Sequence, residues 1–181
     1  MRKLKLEELN RLDVDQYKQV KKLPVVIVLD NIRSLFNVGA VFRTADAFRI
    51  SAIHLCGITA TPPHREIHKT ALGATDSVEW EYFEDVIISI KSLREKGYKV
   101  YAIEQTDQSI EMGNWQFDAE EKVAVVFGNE VKGVSESILP LAHACIEIPQ
   151  YGTKHSLNVS VSAGIVIWNI FKQMQAGNNP F

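Results

Sequence analysis

Three short runs in this sequence gather residue types suited to holding a ligand. The first is Asn37-x-Gly39-x-x-x-Arg43. Val38, Val41, Ala45 and Phe48 form a helical stripe through it, so a helix over 37–48 would turn that stripe toward a core. Arg43 is two positions from Val41, about 200° around at about 100° per residue, and so points away from that core. A guanidinium there either pairs with Asp46 at i,i+3 or presents its planar fork to a phosphate. Asn37 sits where an N-cap belongs, and Gly39 permits close approach to the first turn.

The second run is Gly128-Asn129-Glu130-x-x-Gly133, followed by Ser135 as a helix cap. Its glycines let backbone amides and carbonyls touch a ligand edge directly. It has neither the GxxxxGK[ST] nor the GxGxxG spacing, and taken alone it reads as an ordinary βα turn. The third run, 147–175, opens like a loop and ends like a buried helix. Pro149 and Gly152 open a turn, and Ser156 and Asn158 then stand beside the exposed amides of the helix entrance. One cap needs one such residue; the surplus marks the entrance as a site as well as a boundary.

The elements that must position these runs follow from hydropathy. Apolar, β-branched segments at 24–30, 52–57, 98–104, 122–128 and 144–149 read as strands. Segments 37–48, 84–97, 135–142 and 156–175 read as helices, with a shorter one over 65–72. The two prolines of 58–66 mark a long flexible loop. Near-continuous apolar strands alternating with helices predict an α/β fold, a parallel sheet covered by helices on both faces. Ligands of such sheets bind beyond the C-terminal strand ends, where all three runs fall, so the three form one pocket.

At 181 residues, 46% of them apolar, the chain suits one domain with a sizeable core. No apolar run approaches bilayer length, and the N-terminus is charged where a signal peptide is apolar, so a cytoplasmic protein without membrane attachment is expected. Cys56 and Cys145 are far apart, which indicates neither a disulfide scaffold nor a zinc cluster. His64 and His68, four apart, could share a metal, but no carboxylate pattern surrounds them and none is expected. A net charge of -2 argues against a broadly basic nucleic-acid binder without excluding one. Residues 1–22 hold seven basic residues against four acidic ones, with a weak helical stripe through Leu4, Leu9, Leu12 and Val20. This N-terminal extension reads equally as a solvated helix on the body or as an RNA-contacting arm. A main domain over 23–176 and a short tail over 177–181 complete the organisation.

The ordered set Asn37-x-Gly39-x-x-x-Arg43, Gly128-Asn129-Glu130-x-x-Gly133 and Ile148-Pro149-x-x-Gly152-x-x-x-Ser156-Leu157-Asn158-Val159-Ser160 resembles the three motifs of the SpoU (TrmH-like) RNA 2'-O-ribose methyltransferases, within the SPOUT superfamily. The resemblance covers about residues 24–175, and the stretch 97–110 is similar to the tRNA guanosine-methylating branch. It implies a deep C-terminal trefoil knot, a homodimer with its pocket near the interface, and S-adenosylmethionine as methyl donor. By motif position, Gly128, Ile148 and Leu157 would hold the adenosine, with Gln105, Asn129, Gly133 and Gln150 around it. Gln150 stands where many members carry Met. Arg43, Asn37, Glu130, Ser156 and Asn158 would be the catalytic set. The absence of a preceding RNA-binding domain in these residues leans the expected substrate toward tRNA, a guanosine in the D-loop, with rRNA as the alternative. A non-catalytic RNA-binding knot protein is a further alternative, although it would be expected to lose Arg43 or the glycines.

Overall fold

A computed structural model describes residues 1–176; the expected tail at 177–181 lies outside the described residues. After a 3-10 turn at Leu6–Leu9, the elements in chain order are α1 (Val14–Gln19), β1 (Leu23–Asp30), α2 (Leu35–Ala47), β2 (Ile50–Cys56), α3 (Arg65–Ala71), α4 (Ala74–Ser77), β3 (Glu79–Phe83), α5 (Val86–Glu95), β4 (Lys99–Ile103), β5 (Ile110–Glu111), β6 (Val123–Phe127), β7 (Ala144–Glu147) and α6 (Val159–Ala176). The strands form one sheet in the order β3-β2-β1-β6-β4-β7-β5, and every pairing is parallel. No helix among the described residues is long and apolar enough to cross a membrane.

The alternation of side chains along the central strands divides the core in two. On β1, Val25, Ile27 and Leu29 face one side, packing with Val38, Val41 and Phe42 of α2 and Val166, Ile167 and Ile170 of α6. Val26 and Val28 face the other side, against Val86, Ile90 and Leu93 of α5 and Ile138. The two clusters bury both faces of β1, which explains why the central strands read as continuous apolar runs. Gly39 is needed at a helix–helix contact rather than at its own first turn. A Cβ there would lie 2.1 Å from Thr70 Oγ1 and 2.3 Å from the Ile67 carbonyl of α3.

Several boundaries differ from those the sequence predicts. α2 begins two residues early because Ser34 is its N-cap, its Oγ accepting from the Asn37 amide at 3.3 Å. Asn37 is therefore inside the first turn, not the cap. α6 begins at Val159 instead of Ser156, since Asn158 caps it by accepting from the Ser160 amide at 2.9 Å. The segment after β6 makes a 3-10 helix (Glu136–Leu141) that contains Pro140, which has no amide to donate to an α-helical ladder. Ser135 precedes it without a side-chain cap bond; its hydroxyl instead donates to Asp30 Oδ2 at 2.6 Å. The N-terminal leucine stripe is not packed, for Leu4, Leu9 and Leu12 are exposed, and Tyr17 alone in α1 is buried.

The sheet order has a direct consequence for the site. β1, β6, β4 and β7 are consecutive neighbours and parallel, so the loops leaving their C-terminal ends stand side by side on one edge.

Candidate cofactor cleft and its polar network

Those loops enclose a cleft of about 670 Å³, a volume suited to a ligand of nucleoside size. Its floor is the turn after β6. Gly133, at φ 70°, donates its amide to the Asn129 carbonyl at 2.8 Å and folds the loop back on Gly128. A Cβ on Gly128 would lie 2.1 Å from the Gly133 carbonyl carbon and 2.2 Å from the Val134 nitrogen. The Asn129 side chain fastens the turn at both ends. Its Nδ2 donates to the Asn31 carbonyl at 2.7 Å, and its Oδ1 accepts from the amides of Val131 and Lys132 at 3.0 and 3.1 Å.

Glu104, at the end of β4, joins this floor to the neighbouring wall. Its carboxylate accepts from the Gln105 amide at 2.9 Å and from the Val134 amide at 2.8 Å, and a Cβ on Gly133 would meet Glu104 Oε2 at 2.2 Å. Sequence reasoning did not single out Glu104. The signal was faint: an acidic residue ending an apolar strand, with its main partner 30 residues further on.

A second set of contacts crosses from the floor to two helix entrances. Glu130 accepts from the amides of Arg33 and Ser34 at 2.9 and 3.0 Å and from Asn37 Nδ2 at 3.1 Å. Asn37 in turn accepts from Asn158 Nδ2 through its Oδ1 at 3.1 Å. Three residues, one from each sequence run, thus form a single chain of hydrogen bonds. Burial pushes the Glu130 carboxyl up, but the amides of Arg33, of Glu130 itself and of Ser34, with the Asn37 side chain, outweigh it and hold the group below its ordinary value. The carboxylate also lies at the N-terminus of α2, where the helix dipole favours negative charge.

A lowered carboxyl pKa contributes stability above the unfolded value, and that contribution is lost as pH falls through the folded value. Glu130→Gln is accordingly expected to lose about 0.5–1.5 kcal/mol of stability at pH 7, nearer the lower figure because the residue is exposed. Denaturant titrations should show the difference from wild type shrinking once the pH is below about 4.3.

Of the expected cofactor residues, Gln105, Gly128, Asn129, Gly133, Ile148, Gln150 and Leu157 all line the cleft. Glu130, Ser156 and Asn158 of the expected catalytic set line it too, and Asn37 joins through its side-chain bonds. Arg43 does not. Six residues beyond Asn37 on α2, it lies about 9 Å further along the axis and about 120° around it. It is exposed, and lines a separate cavity of about 410 Å³ with Arg11, Tyr17 and Asp46. The expected partner Asp46 accepts instead from the Ser77 hydroxyl. His64 is the cap of α3, its Nδ1 accepting from the Glu66 amide at 3.2 Å.

The profile of the SpoU rRNA Methylase family matches residues 24–168. The chain is 29% identical over 171 residues to the tRNA (guanosine(18)-2'-O)-methyltransferase of Thermus thermophilus, covering 94% of this chain and 86% of the relative. It is 30% identical over 158 residues to the 23S rRNA (guanosine-2'-O-)-methyltransferase RlmB of Neisseria meningitidis, covering 84% of this chain and 60% of that one. Its fold is similar to the crystal structure of an AdoMet-bound rRNA methyltransferase from Sinorhizobium meliloti, with a TM-score of 0.77, 25% identity, and coverage of 87% of this chain and 60% of the other.

Proposed function

Because the chain belongs to the SpoU rRNA methylase family, we propose that it is an S-adenosylmethionine-dependent RNA 2'-O-ribose methyltransferase acting on tRNA. One observation carries the reading. The second and third sequence runs line one cleft, Asn37 of the first is hydrogen-bonded to both, and the cleft floor is so tight at Gly128 and Gly133 that side chains are excluded from the backbone. That arrangement fits the cofactor. Gly128, Ile148 and Leu157 would hold the adenosine between backbone and apolar contacts, with Gln105, Asn129, Gly133 and Gln150 around it. When bound, S-adenosylmethionine supplies a methyl group on a sulfonium, already a strong electrophile.

The chain's own residues then have to place a ribose 2'-hydroxyl in line with that methyl group and stabilise the charge that develops on its oxygen. Glu130, Asn37 and Asn158 are already cross-linked to one another, so they supply a preorganised polar wall, with Ser156 beside them. Arg43 is the group that clamps an RNA phosphate and stabilises the alkoxide. A guanidinium keeps its proton and acts by charge, not as a base.

Arg43's position outside its own chain's cleft supports a homodimer in which each chain lends this residue to its partner's site. An uncovered apolar surface supports the same reading: Phe36 of α2 and Val161 and Trp168 of α6 are each about half exposed. The return of α6 from β7, beyond β4, to pack on α2 supports the trefoil knot of the family fold. Residues 1–22 form the N-terminal extension and 23–176 the catalytic domain of a cytoplasmic enzyme.

tRNA is favoured as substrate by the Thermus relative, with which the match runs nearly end to end in both chains. A guanosine of the D-loop is the expected target. rRNA is the second reading, favoured by the Neisseria relative at similar identity. Incubation with methyl-labelled S-adenosylmethionine and, separately, unmodified tRNA and rRNA decides between them. Label in tRNA is expected; label in rRNA alone would replace the substrate, and no label in either would reject the activity.

A further inference from the structure

We propose that Tyr151 is a stacking platform for a base of the substrate RNA at the mouth of the cleft, an inference that rests on the RNA methyltransferase reading. The loop from Ile148 to Asn158 joins β7 to α6, and Gln150 and His155 within it both line the cleft. Residues 151–154 between them are therefore its outer lip. Among the described residues Tyr151 is 95% exposed, far above the next most exposed aromatic residues, Trp168 at 51% and Phe36 at 50%. Its ring has no cover from the described residues.

Charge points to the occupant. The run Gln150-Tyr151-Gly152-Thr153-Lys154-His155-Ser156 carries Lys154 and His155 and no acidic residue, in a chain whose net charge is -2. Lys132 lines the same cleft from the opposite loop. An aromatic face flanked by Lys154 and Lys132 matches an unpaired nucleotide, the ring taking the base and the ammonium groups the phosphates. A ribose can reach a cleft-bound methyl donor only if its nucleotide is splayed from its neighbours, and an unstacked base then needs a new face to lie on. A protein partner fits less well, because Gly152 to Ser156 around the ring are small or polar and all exposed.

The test compares Tyr151→Ala with Tyr151→Phe on unmodified tRNA. The alanine variant should raise the KM for tRNA about five- to hundredfold, the effect of losing one base–aromatic stack. Its S-adenosylmethionine affinity, oligomeric state and turnover at saturating tRNA should stay at wild-type values. The phenylalanine variant, which keeps the ring, should retain the wild-type KM. An unchanged KM in Tyr151→Ala overturns the proposal. So does a Phe variant as impaired as Ala, or a loss of cofactor affinity or of the dimer. Filter retention of tRNA, which needs no turnover, separates the two claims. Wild-type protein that retains tRNA in a tyrosine-dependent way but transfers no methyl would reject the enzymatic reading alone. Protein that retains no tRNA rejects the stacking site.

Discussion

Arg43→Ala is expected to lower methyl transfer to RNA by at least about 100-fold, the scale of removing one preorganised group at a developing oxyanion. Calorimetry should find its S-adenosylmethionine affinity unchanged, because Arg43 does not line the cleft of its own chain. Arg43→Lys should fail to rescue turnover, since an ammonium keeps the charge but not the planar fork that grips a phosphate. The dimer reading makes a sharper prediction. Dimers mixed from Arg43→Ala and Asn158→Ala subunits contain one intact site if Arg43 is supplied by the partner, and none if it acts within its own chain. Recovery of activity on mixing two inactive variants is the expected outcome. Silence on mixing would return Arg43 to its own chain's site.

Gly128→Ala should also have a large effect, by a different route. The added Cβ would sit 2.1–2.2 Å from the backbone of Gly133 and Val134, atoms that cannot rotate aside as a side-chain end would. The end of β6 must then part from its own loop, costing about 1–3 kcal/mol of stability. The same shift opens the cleft floor, so the dissociation constant for S-adenosylmethionine should rise at least about tenfold, or about 1.4 kcal/mol. Gly152→Ala is the control. A Cβ at Gly152 meets nothing within 4 Å, so its cofactor affinity and thermal stability should match wild type. If the two alanine variants behave alike, the floor is not where the cofactor is held.

The sequence made the central sheet legible for a plain reason. β1 and β6 are buried on both faces, so every position but Asp30 at the end of β1 is apolar and the pattern reads as strand. Glu79–Phe83 escaped the same reading because it is the edge strand β3, whose residues Glu79, Glu81 and Tyr82 are exposed. At two residues, β5 has no pattern to read. Cap chemistry was legible in kind but not in position. Ser34 caps α2, which frees the Asn37 side chain to bridge Glu130 and Asn158. The second and third motifs named about half of the cleft lining, but their couplings to each other and to the first motif were invisible. Glu130 reaches Arg33, 97 residues away, and Glu104 reaches Val134. Such partners are set by which strands become neighbours, and local spacing carries no record of that. Arg43's helical phase was readable and pointed it off the core; that this also put it outside its own cleft required the fold.

The central claim is that the methyl group goes to a ribose oxygen. The most direct measurement is alkaline hydrolysis of tRNA labelled by the wild-type protein, because a 2'-O-methyl blocks cleavage of the adjacent phosphodiester. Label recovered in alkali-resistant dinucleotides is the predicted result. Label recovered in mononucleotides would put the methyl on a base and contradict the account.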